Sequence, residues 1–181
     1  ERDRWMQSII EADRAAGAAR TDRSKYLAAK ATLVFAEPAG AAFSLIKLSA
    51  PLKKNLALKK DAMERALNAY GKAAQYGVAE VTTEATYQMA ELYRTLAKDL
   101  MESERPKNLK EDELEQYNVL LEEQAFPFEE KAISIHEANV ARASEGVYDE
   151  SVRKSFEALA KLKPARYAKA EISAEYVKEL R

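Results

Sequence analysis

Ala66-Leu67-Asn68-Ala69-Tyr70-Gly71-Lys72-Ala73-Ala74, the corner Tyr76-Gly77-Val78 and the run Met89-Ala90-Glu91-Leu92-Tyr93 carry the reading of the fold. Met63, Ala66, Leu67, Tyr70, Ala73 and Ala74 recur at helical spacing and so share one side of a helix. Gly77 stands where the end of that helix wants a left-handed residue. A second helix is expected from Thr82 or Thr83, either of which offers a capping hydroxyl. Its apolar stripe is Ala85, Met89, Leu92, Tyr93, Leu96 and Leu100. Small residues beside large ones let two such helices approach closely and interlock.

Outward from this pair, helical patterning covers the chain. A first helix is expected over 4–19, with Trp5, Ile9, Ala12, Ala16 and Ala19 on its apolar side. Asp22 or Ser24 then caps a helix running to about Ala36, whose apolar side is Tyr26, Leu27, Ala31, Val34 and Phe35. Glu37-Pro38-Ala39-Gly40 is expected to end it, because the residue before proline avoids helical geometry. Pro51 divides or kinks the region 41–76. Arg105-Pro106-Lys107-Asn108 reads as a loop, and Asn108 with Glu111 resembles a capping box. A helical region over 110–144 is expected to be interrupted at Phe126-Pro127-Phe128 and ended by Gly146. Asp149 caps the next helix, with Val152, Phe156, Leu159 and Leu162 on one side, and Pro164 closes it. The tail 165–181 reads as one more helix. The corner at Gly77 returns as Glu145-Gly146-Val147-Tyr148-Asp149, roughly 70 residues on, each time after a helix expected to be proline-interrupted. Such a period marks stacked helical hairpins.

Composition agrees. In 181 residues there are only 5 Gly and 5 Pro, which favours long helices, and 0 Cys, which removes disulfides, thiolate metal sites and cysteine nucleophiles. Charged residues make up 33% but the formal net charge is -1, with both signs interspersed, so no basic face for nucleic acid stands out. No apolar run approaches the ~18 residues of a membrane span. The chain opens at Glu1 without methionine and is expected to be a fragment or a processed product.

The residues quoted first resemble tetratricopeptide repeats. Ala66, Tyr70 and Ala73 match the second helix of that repeat, and Met89-Ala90-Glu91-Leu92-Tyr93 matches its first. His136 takes the place of an expected aromatic, and the helices are longer than the repeat usually allows. The resemblance implies an all-α, right-handed solenoid of antiparallel hairpins over 1–181, with elongated second helices. Those same runs, with Met101-Glu102-Ser103-Glu104-Arg105-Pro106, Gln124-Ala125-Phe126-Pro127-Phe128 and Leu162-Lys163-Pro164-Ala165-Arg166-Tyr167, are similar to gliding-motility and envelope-associated repeat proteins of Gram-negative bacteria. This implies a periplasmic or envelope-associated scaffold without catalytic residues or cofactor; the composition fits the cytoplasm as well.

Several groups compete for a functional role. His136, the only histidine, has Glu129, Glu130 and Glu137 nearby, but Ile133 precedes it by three where a metal site of this type wants glutamate. The acidic run Glu111 to Glu123 reads as a solvated face, since nothing in it suggests the burial that acid–base chemistry needs. Lys53, Lys54, Lys59 and Lys60 form a basic cluster that reads first as a solubilising surface and second as a contact for a lipid headgroup. Glu84, Tyr87, Glu91 and Arg94 fall on the flank of their helix away from Met89 and Tyr93. In a tetratricopeptide-like array the first helices line the concave surface, so these four residues are the expected partner-binding set. The favoured function is a scaffold for a protein or peptide partner, without nucleic acid or transmembrane segment, and with homo-oligomerisation through open solenoid ends. A metal-binding or enzymatic bundle at His136 and a peripheral membrane module are the alternatives.

Overall fold

The computed structural model describes residues 1–169; the expected tail helix lies largely outside them. Among the described residues the chain is entirely helical. Seven helices follow in order: α1 (Arg2–Ala15), α2 (Asp22–Leu45), α3 (Leu52–Ala74), α4 (Ala79–Met101), α5 (Glu111–Ala141), α6 (Glu150–Leu162) and the single turn α7 (Pro164–Tyr167). Each packs on the next, most extensively α2 on α3 and α4 on α5, which residues 46–51 and 102–110 join along the chain. Contacts also link α2 to α4 and α4 to α6, so α4 lies flanked by both.

The two glycine corners form as read. Gly77 and Gly146 both take left-handed backbone, φ +65 and +83, which costs a residue without a Cβ least. The amide of Gly77 donates to Ala74 O and that of Gly146 to Ala143 O, closing the preceding helices. What precedes the corners differs from the expectation. Pro51 is the residue before α3, not a break within it, and Pro127 sits inside an uninterrupted α5. Pro38 likewise lies inside α2, which runs nine residues past Ala36 to Leu45. Both internal prolines are exposed, so the carbonyl that each leaves without an N–H faces the solvent side. Buried neighbours on the other side keep the helix going: Ala36 and Phe43 around Pro38, Ala125 and Ala132 around Pro127.

Three of the helix starts also differ from the expected caps. Thr21, not Asp22 or Ser24, caps α2; its hydroxyl accepts from the Ser24 amide, and Ser24 Oγ accepts from the Thr21 amide. Helix α4 starts at Ala79, ahead of both threonines, and Thr82 and Thr83 turn their hydroxyls to other partners. Lys110, not Asn108, precedes α5, and its amide donates to Glu113. Asp149 caps α6 as expected, accepting from the amides of Ser151 and Val152.

The main core joins α2, α3, α4 and α5 around Phe43, Met63, Tyr70, Leu92, Leu96 and Leu100, with Ala66, Ala73 and Ala85 at closest approach. The stripes of α3 and α4 are therefore the ones that periodicity selected. Those of α1 and α2 are not: Trp5 is 71% exposed and Tyr26 and Leu27 are exposed, while Ala29, Leu33, Ala36 and Phe43 face inward. A second cluster of Ile133, Val140 and Leu159, flanked by Phe156, Leu162 and Tyr167, ties α5 to α6 and α7.

Candidate protein-docking face

Helix α4 is covered by α3 and α5 but keeps a strip open between α2 and α6. Tyr87, Glu91 and Arg94 occupy that strip one turn apart, because residues three and four apart on a helix are neighbours. They meet Lys154, Glu157 and Lys161 of α6 around a hollow of about 120 Å³. Glu91 also borders a second hollow, of about 240 Å³, on the α2 side, together with Gly40, Ser44, Tyr70 and Thr95. Glu91 thus stands on the ridge between two depressions. Three of the four expected partner-binding residues are brought together. Glu84 is not part of either hollow; one turn nearer the start of α4, it adds its negative charge to the surroundings of Lys30 and Tyr70.

The ridge is held by its own charges. Arg94 grips Glu91 through two nitrogens, Nε at 2.8 Å and Nη2 at 2.5 Å. Beneath them lies His136 of α5, fully buried, with Nε2 at 3.3 Å from Glu91 Oε1. That approach is close but poorly aligned, and Nδ1 has no partner at all. Burial would raise the Glu91 carboxyl, but the His136 ring and the Arg94 guanidinium outweigh it and bring it to about 2. The Arg94 guanidinium is raised by its bond to Glu91. Tyr87 packs on His136 with ring centroids 5.8 Å apart and takes Lys154 Nζ at 5.9 Å above its ring. Burial, then the Glu91 charge, pushes the Tyr87 hydroxyl up.

A buried polar knot sits one turn further along. Asn139 Nδ2 donates to Ser155 Oγ at 2.9 Å and to Thr83 O at 3.1 Å, and Thr83 Oγ1 donates to Asp149. The knot pins α4, α5 and α6 to one register, which sets the width of the hollow between α4 and α6. Sequence reasoning passed over it, and over Lys154, Glu157 and Lys161. Their spacing was legible as the solvated flank of α6; that this flank would oppose Tyr87 was not.

The other candidate groups resolve differently. Glu129 and Glu130 are exposed and stand apart from the buried His136, while Glu137 pairs with Lys163 at 3.1 Å and Arg166 at 3.4 Å. No group of three or more metal-ligating side chains occurs among the described residues. The basic cluster loses a member. Lys59 is fully buried, bound to Asp99 at 2.6 Å, donating to Phe43 O and Ile46 O, and lying 4.3 Å from the Phe43 ring centroid. It holds the end of α2 against α3 and α4 instead of facing solvent. The carboxylates between Glu111 and Glu123 are exposed, as expected. Among the described residues no helix is long and apolar enough to cross a membrane. No protein-family model, curated protein or solved structure matches the chain.

Proposed function

We infer that this chain is a non-catalytic interaction scaffold of the tetratricopeptide-like kind, a right-handed solenoid of antiparallel hairpins that holds a protein or peptide segment along α4. One observation carries the reading. Tyr87, Glu91 and Arg94 form a preset ridge between two hollows, with an aromatic ring and both charge signs on successive turns of one helix. A half-buried tyrosine beside a fixed arginine is the chemistry of interface hot spots. The contacts of α4 with both α2 and α6 support an inner layer of alternate helices, the arrangement in which tetratricopeptide arrays expose their first helices. The only strongly shifted carboxylate among the described residues, Glu91, is engaged by Arg94 and His136, which suits recognition better than proton transfer. Placement in a bacterial envelope assembly rests on the likeness of the quoted runs to envelope repeat proteins.

Peptides selected against the chain from a random library test the site. Their affinity should fall about tenfold or more in Tyr87→Ala and again in Arg94→Ala, matching a loss of 1–2 kcal/mol per anchor. Unchanged affinity in a double variant that keeps its helical circular dichroism would remove α4 as the docking face. Cell fractionation with an antibody to the chain decides between envelope and cytoplasm.

A further inference from the structure

A groove on the far side of α2 has the opposite character to the ridge. It measures about 970 Å³ where α1, α2 and the end of α3 meet, and a hollow of about 370 Å³ extends it along α3, sharing Thr32, Phe35 and Lys72. Phe35 and Tyr76 supply an apolar floor. The charged lining is five cations and a single carboxylate, Asp13, which Arg20 neutralises at 2.6 Å. Among the described residues Arg14, Lys25, Arg65 and Lys72 make no salt bridge. A chain with formal net charge -1 has therefore gathered free positive charge in one place.

The balancing negative charge is gathered too. From Glu111 to Glu130 the sequence holds no lysine or arginine, and the first half of α5 is largely bare of packing. Val119 is 49% exposed and Phe126 63% exposed there. Glu115, Val119, Glu122 and Phe126 follow at four-, three- and four-residue steps, so they form one stripe of alternating acid and apolar side chains. The wall of the groove has the same steps: Arg65, Ala69, Lys72 and Tyr76, alternating base and apolar. The acids of the stripe form no salt bridge within the chain among the described residues.

We propose that the groove receives the acidic half of α5 from a second copy of this chain, so that copies join head to tail. A helix laid in a groove by apolar anchors, with charge setting its register, is an established mode of protein association. The two patches differ, so the contact is heterologous and propagates instead of closing on itself. A nucleic acid is the poorer occupant, because Arg20 already covers the Tyr76 ring at 5.8 Å and the acidic α5 of the same molecule would repel it.

Sedimentation velocity on the chain at rising concentration tests this. The mean mass should climb continuously at low salt and fall back to the monomer at high salt. A groove variant, Arg65→Glu with Lys72→Glu, and a helix variant, Glu115→Lys with Glu122→Lys, should each be monomeric. All four positions are exposed, so both variants should keep the parent's circular dichroism. Mixed in equal amounts they should grow with concentration again, in alternation, since the intact groove takes the intact helix and the reversed groove takes the reversed helix. A monomeric parent at every concentration, a closed dimer of fixed mass, or a mixture that stays monomeric would each overturn the proposal.

Discussion

Two residues show how narrowly the packing is set. Gly40 lies inside α2, where a glycine costs about 1 kcal/mol relative to alanine. It is kept because the Tyr70 hydroxyl lies 2.8 Å from where a Cβ would stand. Gly40→Ala should therefore destabilise by about 1 kcal/mol, the clash exceeding the gain in helix propensity. In a Tyr70→Phe background the same change should turn stabilising, as urea unfolding of the four variants would show. Glu91 supplies a pH signature. Its folded pKa of about 2 lies below the ordinary 4.5, so its stabilisation is full above about pH 5 and fades as the pH falls toward 2. The sum at neutral pH is about 3.5 kcal/mol before solvent screening reduces it, from about 1.4 kcal/mol for each pH unit between 4.5 and 2. Glu91→Gln should flatten the fall in urea midpoint over that window; an unchanged acid limb would show that the Arg94 and His136 contacts are not formed in solution.

At the scale of the element, the prolines separate pattern from packing. Pro127 read as an interruption because it cannot donate to the carbonyl four residues back. In the fold Ala125, Ala132, Ile133, His136 and Asn139 are all buried along α5, and that interface outweighs a local defect on its exposed side. Pro127→Ala should then stabilise the chain, by about 1–3 kcal/mol given the cost of proline in a helix interior. A drop in melting temperature would mean that Pro127 itself is needed for α5 to follow α4. The same reasoning covers Pro38 in α2. The corners behave in the opposite way: Gly77 and Gly146 were legible because a left-handed residue has few alternatives to glycine.

Across the whole molecule the core is in two parts. The larger joins α2 through α5, and the smaller holds α6 and α7 on the end of α5. Stacked helices contact mainly their neighbours, so the ends can open without the middle. Leu159 is fully buried in the smaller part. Leu159→Ala should remove about 2–5 kcal/mol locally. Hydrogen exchange should then rise over 150–167 while 62–100 stays protected. Uniform loss of protection would indicate one cooperative unit, with the Thr83, Asn139, Ser155 and Asp149 knot coupling the parts.

The sequence by itself determined the helical class, the α3 and α4 stripes, the glycine corners, the Asp149 cap and the placing of Tyr87, Glu91 and Arg94 on one flank of α4. All of these follow from local rules: periodicity, backbone sterics and the facing of residues on one helix. It did not determine which side of α1 and α2 turns inward, because both carry apolar residues on more than one side and only their neighbours select between them. Nor did it reveal that Lys59 is buried, since Asp99 lies forty residues away along the chain and meets it only when α3 packs on α4. The opposition of Lys154, Glu157 and Lys161 to Tyr87 is of the same kind. Spacing along one helix is local information, whereas the facing of two helices is fixed by the long-range packing of the core between them.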